Sequence, residues 1–266
     1  MKKIIVAILV ALIAVTAAFA QPKGEQQTVL KVGATHDPHA LILELVVDDL
    51  AAQGIKLEII EFTDYVLPNT ALEEGQLDAN YFQHIPYLES FNNDHGYHLA
   101  NAGGIHIEPL AVYSKKITDL KELKEGALIA IPNDATNEGR ALLLLQSSGL
   151  ITLADSSKLD SKLEDITSNP LNLKFSELEA ATIPRVLQDV DAAVINGNYA
   201  LSAGLSAAKD GLFIEGADSP YVNVIAVKQG NENNPAIVAL VNAIKSQEVK
   251  DWVAAKYPNG EAVLVF

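Results

Sequence analysis

The sequence predicts an α/β protein of two lobes, with mostly parallel sheets flanked by helices. Three observations carry that expectation. Apolar runs of strand length alternate with segments of helical period along much of the chain. The first trio, at 29–34, 40–50 and 55–62, has the spacing of a βαβ unit, whose two strands lie parallel in one sheet. The stretch 21–266 is long for one compact core and suits two lobes of about 100 to 150 residues each.

The first residues read as a segment removed from the fold. Lys2 and Lys3 precede an apolar run at 4–15, and Ala18-Phe19-Ala20 offers a small-residue cleavage site, so 1–20 is expected to be a signal peptide cleaved after Ala20. No later run of about 18 apolar residues follows, and the product is expected to be exported and soluble. The formal charge is -15, and -17 without Lys2 and Lys3, which makes nucleic acid a poor partner. With no cysteine in the sequence, disulfides, thiolate metal sites, a cysteine nucleophile and a lipid-anchor cysteine are all absent.

The elements follow in order. After the βαβ unit comes a short helix at 66–74 stopped by Gly75, then a strand at 77–82 and a helix from Ile85 to about Asn93. An extended segment at 108–114 lacks a helix of its own, and 221–227 repeats that β-rich character. These two are expected to carry the chain to the second lobe and back, with lobe 1 at 28–110 plus 226–266 and lobe 2 at 111–225. Helices at 235–244 and 248–255 would then pack on lobe 1. Inside lobe 2, the apolar run 128–131 closes at Pro132 and leads into a helix capped by Asp134 or Thr136.

Ligands in such sheets sit beyond the carboxyl ends of the strands. The helix after Pro132 begins with Arg140 near its first turn, where N–H groups, the helix dipole and a guanidinium fork favour a carboxylate. Tyr65, Tyr81, Phe82 and Tyr87, with His84, fall near strand ends and can wall a slot for an apolar or thioether side chain. Asn196-Gly197-Asn198 follows a strand, and Asn223 sits inside a β-rich stretch where an amide needs a partner. Each of these residues also has an ordinary structural role available. Metal and enzyme readings are weaker. The histidine spacings do not form a hydrolase set, His106 and Glu108 share a strand face by geometry alone, and no nucleophile elbow is present. No catalytic residue, metal ligand or cofactor is expected.

Residues 62–69 (Phe-Thr-Asp-Tyr-Val-Leu-Pro-Asn), 78–84 (Asp-Ala-Asn-Tyr-Phe-Gln-His), 131–145, with Pro-Asn-Asp-Ala-Thr-Asn-Glu-Gly-Arg at 132–140, and 191–200 resemble, in order, the methionine-binding NlpA-type substrate-binding proteins of bacterial ABC importers. The resemblance implies a two-lobed periplasmic binding protein type II fold with two crossover strands. It implies capture of methionine between the lobes and delivery to a permease in the inner membrane. D-methionine, a methionine-containing dipeptide or another apolar amino acid are the alternatives, and dehydratase-like chemistry on the same fold a more distant one. Carried over, Arg140 would pair with the ligand carboxylate, Asn137, Asn198 and Asn223 would bind its backbone groups, and Tyr65, Tyr81, Phe82 and His84 would surround its side chain. Family members are often anchored through a cysteine, and Ala20-Gln21 stands in that place here. A freely diffusing periplasmic monomer is therefore the expectation.

Overall fold

The computed structural model describes residues 27–216 and 219–266, so the expected signal peptide at 1–20 lies outside the described residues. β1 (Thr28–Ala34) and β2 (Ile55–Glu61) pair in parallel along their whole length, as a βαβ unit requires. Between them the chain is helical in three short pieces, His36–Ala40, Leu41–Leu45 and Val47–Ala51, rather than in one run. Ile42, Leu43, Val46 and Leu50 are all buried, so the helical spacing still presents one apolar face.

The helix Leu67–Glu73 stops before Gly75, whose φ of 77° only glycine adopts at little cost. β3 (Ala79–His84) runs into the helix Ile85–His95, and the His84 ring caps that helix by accepting the Tyr87 N–H at 3.1 Å. β4 (Leu99–Ile107) was not expected as a strand. Gly103-Gly104 interrupts its pattern, and its register against a later strand shifts twice.

β5 (Ala111–Tyr113) and β6 (Leu128–Pro132) come next. The helix Ala135–Ser147 then begins with Asp134 accepting the Asn137 N–H at 3.0 Å. β7 (Thr152–Leu153) and β8 (Ile166–Ser168) form a small separate pair. β9 (Lys174–Leu178), β10 (Ala192–Ile195), the helix Gly197–Ser202 and β11 (Gly211–Ile214) complete this half. β12 (Val222–Lys228), the helices Pro235–Ile244 and Gln247–Lys256, and β13 (Val263–Leu264) close the chain.

The larger sheet has the order β13-β4-β12-β3-β1-β2 and the other β11-β5-β10-β6-β9. Each contains a parallel block of three strands, β3-β1-β2 and β10-β6-β9, extended by antiparallel partners. The sheets are thus mixed rather than mostly parallel, because β12 and β5 run back against their blocks and β4 and β11 pair antiparallel with them. Each sheet has its own core. Val32, Ile105 and Ile225 pack with the helical stretch 41–51 and the two C-terminal helices on the first. Leu142 and Leu145 cover one face of the second and Ile183 and Leu187 the other.

The chain crosses between the sheets twice, at 108–110 and between Ile214 and Val222. The expected return at 225/226 would cut β12 in two. Instead Val222 already pairs with Ile107 and Asn223 with His84, so β12 belongs wholly to the first sheet. An apolar strand buried on both faces needs partners on both edges, and only that sheet supplies them.

Candidate ligand-binding site

A pocket lies where the two sheets meet, lined by Tyr65, Phe82, Gln83, His84, Tyr87, Glu108, Asn137, Arg140, Asn196, Gly197, Asn198 and Asn223. Tyr65 follows β2, Phe82 and His84 end β3, Asn196 to Asn198 follow β10, and Asn137 and Arg140 stand on the helix after β6. The carboxyl ends of parallel strands therefore converge on it from both lobes.

One wall is aromatic. The Tyr65 ring lies 5.8 Å from Phe82 and 5.8 Å from Tyr87, and Phe82 lies 6.0 Å from Tyr87, all tilted or edge-to-face. Tyr87 anchors the wall by donating its hydroxyl to the Tyr65 carbonyl at 2.8 Å. His84 completes it with both ring nitrogens engaged, Nδ1 by the Tyr87 N–H and Nε2 at 3.2 Å from Asn137 Oδ1. Burial and the Arg140 charge hold this ring neutral, its pKa lowered to about 3.

The opposite wall is polar. Arg140 is buried and does not pair with Glu138, which instead accepts the Leu163 N–H at 3.2 Å. Its guanidinium takes Glu215 through Nε at 2.8 Å and through Nη2, and Nη2 also donates to the Glu108 carbonyl at 2.8 Å. The Tyr221 ring packs beneath it, 4.2 Å from the guanidinium carbon. Among the described residues Nη1 has no partner, which leaves one N–H pair of the fork for an anion. Asn198 Oδ1 accepts the Tyr65 hydroxyl at 2.5 Å, and Asn223 Oδ1 accepts from His39 Nε2 at 3.1 Å. With their oxygens so engaged, the side-chain N–H groups of both amides have no partner among the described residues.

Two expected contacts are corrected. Tyr81 does not line the cavity, because the pairing of β3 with β12 shifts register at Phe82, and ahead of that bulge the Tyr81 side chain packs with Ile225 in the first core. It is fully buried in the first core, with its hydroxyl at 2.5 Å from His106 Nδ1. Asn137 does line the cavity, but its amide is already committed. Nδ2 donates to Asp134 at 2.9 and 3.0 Å, while Oδ1 takes His84 and the Asn196 amide at 2.7 Å. It organises the site rather than offering a free hydrogen bond.

Glu108 and Glu215 were not expected in the site. Glu108 sits in the first crossing, and a carboxylate between a strand and Pro109 is the only sign of it in the sequence; Glu215 gives none. Glu108, His39 and His106 are also the one group among the described residues close enough to hold a metal ion. All four ring nitrogens, however, are engaged by Thr35, Asn223, Tyr81 and Glu108.

Two α/β lobes joined by two crossings, with a polar and aromatic cavity at their junction, define a periplasmic binding protein of type II architecture. The comparisons agree, and residues 30–266 match the sequence model of the NlpA lipoprotein family. The chain belongs to that family. It is 50% identical over 212 residues to the D-methionine-binding lipoprotein MetQ of Salmonella typhi, covering 79% of this chain and 78% of the relative. It is 43% identical to the membrane lipoprotein TpN32 of Treponema pallidum, covering 86% of each. Among solved structures, a nutrient binding protein from Burkholderia cenocepacia bound to methionine superposes with a TM-score of 0.85 at 47% identity, over 89% of this chain and all of that one.

These names correct the expected location. The family and these curated relatives are lipoproteins, one of them a membrane lipoprotein, which overturns the freely diffusing periplasmic protein inferred from the missing cysteine. A missing cysteine bears on one attachment chemistry and does not determine where a protein is held.

Proposed function

We propose that this protein is the substrate-binding component of an ABC importer, capturing methionine between its lobes and presenting it to a membrane permease. The observation that carries the reading is the convergence, in one cavity, of the Arg140 fork and the Asn198 and Asn223 amides with the Tyr65, Phe82 and Tyr87 wall. A carboxylate suits the first set. A thioether suits the second, each sulfur-to-ring contact contributing about 0.3 to 1.5 kcal/mol. The relatives named for D-methionine and the methionine-bound neighbour support the same ligand class. The role is binding without turnover.

The test is calorimetric titration of L- and D-methionine into protein that has been unfolded, dialysed and refolded to remove any co-purified ligand. Saturable one-to-one binding near 1 μM or tighter, which is about 8 kcal/mol, is expected for at least one enantiomer. A flat titration with both overturns the reading.

A further inference from the structure

Among the described residues Glu108 is the one carboxylate lining the cavity, and Arg140 gives its fork to Glu215 rather than to the Glu108 carboxylate. Behind it stand two buried histidines. Glu108 Oε1 lies 2.8 Å from His106 Nε2 and 3.3 Å from His39 Nε2. Each ring is fixed at its other nitrogen by a hydroxyl, His106 Nδ1 by Tyr81 at 2.5 Å and His39 Nδ1 by Thr35 at 2.9 Å.

One proton assignment satisfies the whole set: both hydroxyls donate to Nδ1, and both Nε2–H groups point toward Glu108, with His39 shared with Asn223. Both imidazoles are then neutral, as burial favours for His39, lowered to about 4, and His106, lowered to about 3. The carboxylate is thus oriented by two neutral rings, and no cationic side chain is hydrogen-bonded to its oxygens among the described residues. Its Oε2 faces Gly197 across the cavity wall, 2.9 Å from where a Cβ at that position would stand. Nearby, Asn196 Oδ1 is a buried acceptor without a partner among the described residues. Arg140 Nη2 bonds the backbone carbonyl of Glu108 itself at 2.8 Å, so the cationic fork and the Glu108 residue are neighbours on one wall.

We propose that Glu108, held in place by His39 and His106, is the counter-charge for the ligand's α-ammonium. The site then selects α-amino acids, whose ammonium and carboxylate share one carbon, and rejects 2-hydroxy, N-acylated and dipeptide relatives with the same side chain. The inference rests on an amino acid being the ligand. Burial pushes the Glu108 carboxyl above the ordinary range, and a cation beside it favours the ionised form. His39 and His106 act through Glu108 as positioning residues.

The experiment titrates refolded protein with methionine, 2-hydroxy-4-(methylthio)butanoate, N-acetylmethionine and glycylmethionine. Wild-type protein is expected to prefer methionine over each of the other three by about 100-fold or more, since an unpaired buried polar group discriminates strongly. Glu108→Gln lowers the preference over the hydroxy acid by about tenfold, the scale of one charge-assisted hydrogen bond. His106→Leu lowers the same ratio, a readout that loss of stability alone leaves unmoved. If wild-type protein binds methionine and the hydroxy acid within threefold of each other, the proposal falls and the receptor reading stands. If it binds none of the four compounds, the receptor reading falls and takes the proposal with it. The wild-type series decides the matter even where a variant does not fold.

Discussion

The Tyr65 hydroxyl donates to Asn198 Oδ1 at 2.5 Å, joining the turn after β2 in one lobe to the helix after β10 in the other. The two residues are 133 positions apart, and the bond lies at the cavity wall. It orders the Asn198 amide and holds the lobes together over whatever the cavity contains. Tyr199 adds a parallel bridge, with its hydroxyl 3.2 Å from the Thr63 carbonyl and its ring 4.8 Å from that of Tyr65.

Tyr65→Phe keeps the ring and removes only this bond. The expected loss is about 0.5 to 1.5 kcal/mol of methionine affinity, roughly two- to tenfold, with the aromatic wall intact. A double-mutant cycle with Asn198→Ala measures the coupling. Additive losses would mean that the bond does not contribute to closure.

Arg140→Ala is expected to weaken methionine binding by at least about 1.5 to 3 kcal/mol, the range for a hydrogen bond to a charged group. It also strands Glu215, which is only 15% exposed, so part of the effect is on stability. Arg140→Lys keeps the charge but cannot hold Glu215 and Glu108 at once while leaving an N–H pair for the ligand. Titration of the lysine variant isolates the fork, and wild-type affinity there would remove Arg140 from the carboxylate site.

Most of the polar and aromatic halves of the site were legible because they lie at strand ends, where period and topology place them. Tyr65, Phe82, His84, Arg140, Asn198 and Asn223 all line the cavity. Tyr81 differs because a bulge at Phe82, which the sequence pattern does not show, separates it from the cavity-lining end of β3. Asn137 was placed but misread, since nothing in its neighbourhood shows that Asp134, His84 and Asn196 use up its amide. Glu108 and Glu215 depend on contacts between distant segments, and such contacts leave no periodic trace. In the fold, glycines mask the strand pattern of β4, and the apolar sequence of β12 carries no record of which sheet it joins.

Three buried histidines set an acid limit on stability. The folded protein holds His39 near 4 and His84 and His106 near 3, against 6.5 unfolded, all three chiefly through burial. Above pH 6.5 both states are neutral and the histidines contribute nothing to the pH dependence. Below it the unfolded chain takes up protons that the folded chain refuses, so stability falls as pH drops from 6.5 toward 4. Glu108 and Asp134, raised by burial, act in the opposite sense and offset part of the loss. Urea unfolding at pH 7.5, 6, 5 and 4.5 should show a net decline on the order of several kcal/mol. A midpoint unchanged across that window would contradict the neutral, buried imidazoles.

Two glycines separate stability from binding. A Cβ at Gly139, inside the helix Ala135–Ser147, would stand 2.1 Å from the Leu159 carbonyl oxygen and 2.9 Å from the Ser161 nitrogen, both backbone atoms. Alanine there gains about 1 kcal/mol of helix propensity. The clash costs more, because backbone cannot rotate away as a side chain can, and overpacking of this kind costs about 1 to 3 kcal/mol or above. Gly139→Ala is therefore expected to lower the thermal midpoint. At Gly197 a Cβ would stand 2.6 Å from Glu108 Cβ and 2.9 Å from its Oε2. That contact spans the junction of the lobes, so the strain is relieved by parting them or by turning Glu108 away, and neither core is disturbed. Gly197→Ala is expected to weaken methionine binding by about tenfold or more, the effect of a misplaced binding group, with the thermal midpoint of the ligand-free protein nearly unchanged. If Gly197→Ala binds methionine as wild type does, the close approach of Gly197 to Glu108 has no part in holding the ligand.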